Sequence, residues 1–220
     1  NFVAVAVDNS LLMKERLERQ KTEQEMAIAR QVQEPILPQD VARIRGAEIG
    51  AIYYPARAVG GDFYDVIRLD DESFIVIIGD VSNKGVPAAL VMSASSGIIK
   101  AIIKDNPTIA MDELASNLNE LLASEIVKDR EMFVTLLFVK FDLARRALYY
   151  CNAGHLPGLY WDESERTIDT LPTSGPIVGQ FPGAVFKQSM VPIESGDRLF
   201  MFTDGLTEAM DAEGNLFGRE

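Results

Sequence analysis

Three aspartates carry the chemistry for which this sequence is best equipped. Asp62 stands in VGGDFYD, Asp80 in IVIIGDVSNKG and Asp204 in LFMFTDGLTEA, each beside a glycine at the end of an apolar stretch. Strand ends flanked by glycine are places where backbones approach closely and side chains converge on a rim. A lone Gly-Asp ordinarily caps a turn. Three of them raise another expectation, because gathered carboxylates oppose one another's ionisation unless a cation compensates. Hard divalent ions such as Mn2+ or Mg2+ take all-oxygen coordination, and two of them bridged by carboxylates activate water at neutral pH and clamp a phosphoryl group.

Rival chemistries fail on spacing. The chain has no G-x-S-x-G nucleophile elbow and no G-x-x-x-x-G-K-[ST] phosphate loop. A cysteine phosphatase loop needs arginine six residues after its nucleophile, but Pro157 holds that place after Cys151. An aspartyl-phosphate phosphatase needs Asp two positions before Asp204, and that residue is Phe202. Cys151 and His155 share the stretch YYCNAGHLPG, a strand running into a turn, and read as a packed thiol and a turn-bonded imidazole rather than a catalytic pair.

Composition narrows the field further. One cysteine and one histidine exclude a four-ligand Cys/His zinc site within one chain, and an internal disulfide with it; a reducing, cytoplasmic setting is the expectation. A formal charge of −12 argues against nucleic acid as partner, since such binding rests on Lys and Arg neutralising phosphates. A hydrophobic content of 47% excludes a disordered chain. No apolar run reads as a membrane span, and the start, NFVAVAVDNSLL, lacks the basic segment of a signal peptide.

The elements that must position the acids follow from periodicity. Residues 9–33 hold no Gly or Pro and are dense in helix formers, with Asn9 or Ser10 as N-cap, so one long helix is expected, broken at Pro35 and Pro38. Met13 and Leu17 fit a heptad, whereas Gln20 and Gln24 take its next core positions. The helix therefore reads either as a solvated charged rod or as a signalling linker that pairs with its copy in a homodimer. From Ala47 onward, AEIGAIYYPA, FYDVIRL and SFIVIIGD read as strands, the last two joined by an acidic turn at Asp70, Asp71 and Glu72. That hairpin brackets itself with Asp62 and Asp80. VPAALVMSASSGIIKAIIK, apolar on nearly every face with Pro87 in its first turn, is expected as a buried helix, and residues 109–127 as a second. Strands follow in EMFVTLLFVKFDLA, RALYYCNAG, PGLYWDE, AVFKQSMVP and DRLFMFTDG. Strands at both ends with helices between them imply an α+β fold with mainly antiparallel sheets.

Four motifs in order, GGDFYDV, GDVSNKGVPAALVMS, NAGHLPGLY and TDGLTEAMDAEGNLFG, closely resemble the bacterial metal-dependent serine/threonine phosphatases of the SpoIIE/RsbU type, a branch of the protein phosphatase 2C superfamily. The likeness runs from about Ala29 to the last residue. It implies an α-β-β-α sandwich of two antiparallel sheets flanked by helices, preceded by the long N-terminal helix, with two Mn2+ or Mg2+ ions at one edge. Asp62 and Asp80 match the family's bridging and terminal metal carboxylates, Val81 the residue offering its backbone carbonyl, and Asp204 the carboxylate of the third metal motif. Asn83 departs from the glycine usual in GDVSGKG. A further metal aspartate, in a DD-[IV]-T motif, does not occur before Glu220.

The resemblance also implies a division into residues 1–38, a linker that resembles the end of a GAF-type sensor domain, and residues 39–220, a phosphatase domain expected to be C-terminally incomplete. The implied activity is hydrolysis of phosphoserine or phosphothreonine on a phosphorylated anti-sigma-factor antagonist of STAS type, in partner switching. The alternative is a phosphatase-like regulatory module that docks such a partner with little turnover.

Overall fold

In the computed structural model, which describes residues 2–38, 44–55, 58–127 and 132–218, the long helix α1 (Phe2–Gln33) leads through a 3-10 turn at Glu34–Ile36, where Pro35 ends the α-helical ladder, towards the domain. The acidic turn then joins β1 (Phe63–Arg68) to β2 (Ser73–Val81). Asp70 builds that turn by accepting from the Glu72 amide at 2.8 Å and the Ser73 hydroxyl at 2.6 Å, a local bonding for which Asp is suited. Next come α2 (Val86–Asp105), α3 (Met111–Leu121), β3 (Val134–Asp142), β4 (Ala147–Ala153), β5 (Gly158–Asp162), β6 (Thr167–Leu171), β7 (Ser189–Pro192), β8 (Arg198–Phe200) and the short helix α4 (Asp204–Thr207).

All strand pairings are antiparallel, in one sheet of order β1-β2-β3-β4-β7 and another of order β6-β5-β8. The period-two alternation of the central strands assigns the two faces. Ile75, Ile77 and Val81 of β2, with Val134, Leu136 and Phe138 of β3, pack with Ala88, Val91, Met92 and Ile99 of α2 and with Met111, Leu114 and Leu118 of α3. The opposite parity, Ile78 of β2 with Leu137, Val139 and Phe141 of β3, meets Tyr160 of β5, Leu171 of β6 and Leu199 of β8. The larger sheet is therefore covered by helices on one face and by the smaller sheet on the other. Asp80 and its register partner Thr135 belong to the second parity, so both lie on the face towards the smaller sheet.

The α+β class, the two antiparallel sheets and the long leading helix are those expected. Details differ for identifiable reasons. The helix begins at Phe2, so neither Asn9 nor Ser10 caps it. AEIGAIYYPA forms no strand over its described residues 47–55: beyond an Ile44–Ala47 bridge it pairs with no neighbour, and Ile52 and Tyr54 lie 82% and 89% exposed. The second predicted helix stops at Leu121 and continues as a π-helical turn over Leu122–Ile126. The strands expected in AVFKQSMVP and DRLFMFTDG shrink to four and three residues, because each pairs only with a single neighbour. β6 was not predicted, since its first four residues are exposed and carry no apolar alternation. Contrary to the sequence reading, α2 is long and apolar enough to cross a membrane, with a mean hydropathy of 1.7. Its Ala88, Met92 and Ile99 are instead buried against the sheet, which accounts for the composition.

Candidate metal centre

Asp62 immediately precedes β1, Asp80 is the penultimate residue of β2, and Asp204 opens α4 beyond β8. The fold brings one carboxylate oxygen from each within 4.8 Å of the others. Asp62 and Asp80 are half-buried and Asp204 is exposed, so the cluster opens to solvent on the Asp204 side. Among the described residues none of the three forms an ion pair. Asp80 registers the cost: burial first, then a side-chain hydrogen bond with Asp62 and the charges of Asp62 and Asp204, push its carboxyl up to about 8, and Lys84 offsets this in part. A carboxylate cluster with no ion-paired cation among the described residues, in an all-oxygen setting, fits a hard divalent ion.

The backbone around the cluster is shaped for close approach. A Cβ on Gly61 would lie 2.8 Å from the Val81 carbonyl oxygen and 3.3 Å from Asp80 Oδ1, so the glycine lets the Asp62 loop close over the end of β2. Gly79 is needed on the other face. A Cβ there would sit 2.6 Å from Leu136 Cδ2 and 2.9 Å from Phe63 Cε1, because the buried Phe63 ring lies across its register partner. Asn83, in place of the usual glycine, has φ +73°. Asparagine is among the few residues that tolerate the left-handed region, so the loop after β2 keeps its course.

Supporting groups come from distant parts of the chain. Thr203 Oγ1 donates to Asp62 Oδ2 at 2.9 Å, tying the Asp204 segment to the hairpin. The Tyr53 hydroxyl is buried without a hydrogen-bond partner among the described residues, and burial together with the Asp62 charge pushes it up to about 12. Gln33, at the end of α1 and buried, grips Gly60 at both polar atoms: its amide donates to the Gly60 carbonyl at 2.6 Å and its oxygen accepts from the Gly60 amide at 3.2 Å.

The structure thus brings Asp62, Asp80 and Asp204 together and places the Val81 carbonyl beside the Asp62 loop. Cys151 and His155 do not form a pair. The thiol is buried and burial pushes it up to about 11, while the imidazole engages Thr135 and Phe202. Sequence reasoning missed Thr135, Thr203, Tyr53 and Gln33. A Thr adjoining the third Asp-Gly was a usable signal for Thr203, whereas nothing in a one-dimensional pattern announces a glutamine that bonds a backbone 27 residues away.

Comparison with known proteins shows the family and the fold. The family model of stage II sporulation protein E (SpoIIE) matches residues 70–220. The chain is 32% identical over 200 residues to the phosphoserine phosphatase RsbU of Bacillus subtilis, an alignment covering 90% of this chain and 58% of that protein. It is 30% identical over 220 residues to protein IcfG of Synechocystis, covering 89% of this chain and 34% of that protein. The chain therefore spans between about a third and three-fifths of the length of these relatives. Among solved structures, the SiaA-PP2C domain of Pseudomonas aeruginosa superposes with a TM-score of 0.74 at 19% identity, over 92% of this chain and 80% of that one. RsbX in complex with magnesium gives 0.54 at 21% identity, over 69% of each chain. At such identities the likeness is one of fold.

Proposed function

This chain belongs to the SpoIIE family, and from that premise we propose that it is a metal-dependent protein serine/threonine phosphatase acting on a regulatory phosphoprotein of STAS type. The observation that carries the reading is the convergence of Asp62, Asp80 and Asp204, from three separate parts of the sequence, into one cluster without ion-pair partners. In this proposal the three carboxylates and the Val81 carbonyl hold two Mn2+ or Mg2+ ions. Such a pair, when bound, supplies charge neutralisation for a phosphoryl group and lowers the pKa of water.

The protein's own residues do the rest. Gly61 allows the Asp62 loop to reach the end of β2, and Thr203 orients the Asp62 carboxylate by donating to one of its oxygens. The exposed position of Asp204 leaves the open side to the phosphoserine. Lys84, exposed in the loop after β2 and close enough for its charge to act on Asp80, adds a local positive charge on a chain of formal charge −12. An acidic protein needs that offset to receive a dianionic group.

Residues 1–38 would act as the linker and 39–220 as the phosphatase domain. Met13, Leu17, Ile28 and Val32 lie exposed along α1, which favours a homodimer through that helix. The deciding experiment measures phosphate release from a phosphoserine STAS-type protein with Mn2+ and with chelator. Metal-dependent turnover is expected; binding of the phosphoprotein without turnover would make the chain a docking module instead.

A further inference from the structure

The histidine of NAGH, unused in the reading above, is held by an unusually complete set of contacts. Asn152, wholly buried at the end of β4, accepts from the His155 amide at 2.8 Å through its side-chain oxygen and donates from its side-chain nitrogen to the Leu171 carbonyl of β6 at 3.1 Å. Its backbone carbonyl accepts from the Ser174 and Gly175 amides. Gly154 makes the turn at φ +72°, and a Cβ there would lie 2.6 Å from Ile177 Cγ2. A side chain at position 154 would displace packed atoms, so the turn fits closely against Ile177, and with the Asn152 bonds it fixes the residue that carries the imidazole.

The imidazole reaches both halves of the metal centre. His155 Nε2 lies 3.2 Å from the Phe202 carbonyl, two residues before Asp204, and Nδ1 lies 2.9 Å from Thr135 Oγ1, whose residue pairs with Asp80 across β2 and β3. A carbonyl only accepts, so Nε2 carries the hydrogen. A neutral ring must then accept at Nδ1, and the Thr135 hydroxyl donates to it in preference to the Asp80 carbonyl at 3.4 Å. With His155 4% exposed as a residue, water has little access to compete for either bond. Burial also lowers the basicity of the imidazole, in keeping with a neutral ring.

We propose that His155 is a positioning residue for the metal centre: as the Nε2–H tautomer it clamps the Phe202–Asp204 segment to the strand pair that carries Asp80. The inference rests on the metal-centre reading, and its prediction for the metal-free protein stands apart from it. Removing the clamp should loosen the approach to Asp204 before any ion binds. It should then weaken binding, as loss of an outer-shell partner typically does by about 10–100-fold.

The test compares Thr135→Val, Thr135→Ser and His155→Gln with the wild-type chain. Hydrogen exchange across residues 198–208 is measured in chelator, and Mn2+ affinity by calorimetry. Thr135→Val and His155→Gln should exchange faster there and bind Mn2+ about tenfold more weakly, while Thr135→Ser, which keeps the hydroxyl, should match wild type in both. If His155→Gln does not fold, the Val/Ser pair decides. Wild-type exchange and Mn2+ affinity within twofold in Thr135→Val would overturn the clamp, as would an NMR spectrum showing the Nδ1–H tautomer. A wild type that binds no Mn2+ would overturn the metal-centre reading, whereas the exchange result would still decide whether His155 ties the two segments.

Discussion

The two sides of the candidate centre are built to different standards. Asp80 lies in a nine-residue strand paired along its length with β3 and over six residues with β1, above a core that includes Ile75, Ile77 and Val81. Asp204 follows a three-residue strand paired only with β5, and it opens a helix of four residues. One carboxylate is placed by a long ladder and a buried core, the other by a three-residue ladder, the partly buried Leu199 and Met201, and two hydrogen bonds from side chains, Thr203 to Asp62 and His155 to Phe202. A rim whose halves differ in this way concentrates its adaptability on the side that opens to solvent.

The largest effect should come from the acids themselves. Asp80→Asn and Asp204→Asn are each expected to lower Mn2+-dependent phosphatase activity by more than about a hundredfold, beyond the range typical of outer-shell changes. If the exposed Asp204 proved dispensable, with activity within twofold of wild type, the ladder side alone would constitute the site.

Stability should divide along the same line. A methyl group at Gly79 meets Leu136, Phe63 and the Thr135 carbonyl, all under 3.0 Å, so Gly79→Ala should cost about 1–3 kcal/mol in chemical denaturation. At Gly205 the nearest atoms stand at 3.6 and 3.8 Å, and Gly205→Ala should change stability by less than about 0.5 kcal/mol. Equal costs at both glycines would erase the contrast.

The pH dependence in chelator tests the buried side specifically. Asp80, at about 8 in the folded protein against an ordinary carboxylate range near 3.8, binds its proton more tightly folded than unfolded. Its contribution is therefore fully present below about pH 4 and is lost as the pH rises through about 8. Thermal melting of the metal-free protein should show this downward component between those limits, and Asp80→Asn should remove it. An identical profile in the variant would mean that the charge is relieved elsewhere.

The smallest effect concerns the linker. Gln33→Ala releases Gly60, two residues before Asp62, and should raise hydrogen exchange at residues 58–62 while weakening Mn2+ binding by only a few-fold. Gln33→Glu, which keeps an acceptor but loses the donor to the Gly60 carbonyl, should resemble it. No change in either readout would make α1 a passive attachment.

What could be read from the sequence followed the strength of local signals. The hairpin was legible because alternating apolar residues flank a turn that Asp70 builds on its own, and α2 because its apolar run is continuous. The three acids were legible because each sits beside a glycine at a change of pattern. Thr135 and His155 were not, because their meaning lies in register: Thr135 faces the centre only because β2 and β3 pair Asp80 with it. The failed strand at residues 47–55 shows the converse, an apolar segment whose composition promises a ladder that no described neighbour supplies.

The bond between Thr203 and Asp62 spans 141 positions of sequence. During synthesis the first two acids therefore exist long before the third: at about 5–20 residues per second, Asp204 is added roughly 6–25 s after Asp80. Over that interval a nascent chain has carboxylates but no cage. Whatever affinity the finished cluster has for a cation is then available only to the completed fold, where it adds to the free energy of the native state by mass action. Divalent ion binding would in this way report that synthesis has passed residue 204, and a chain arrested short of it would gain nothing from it.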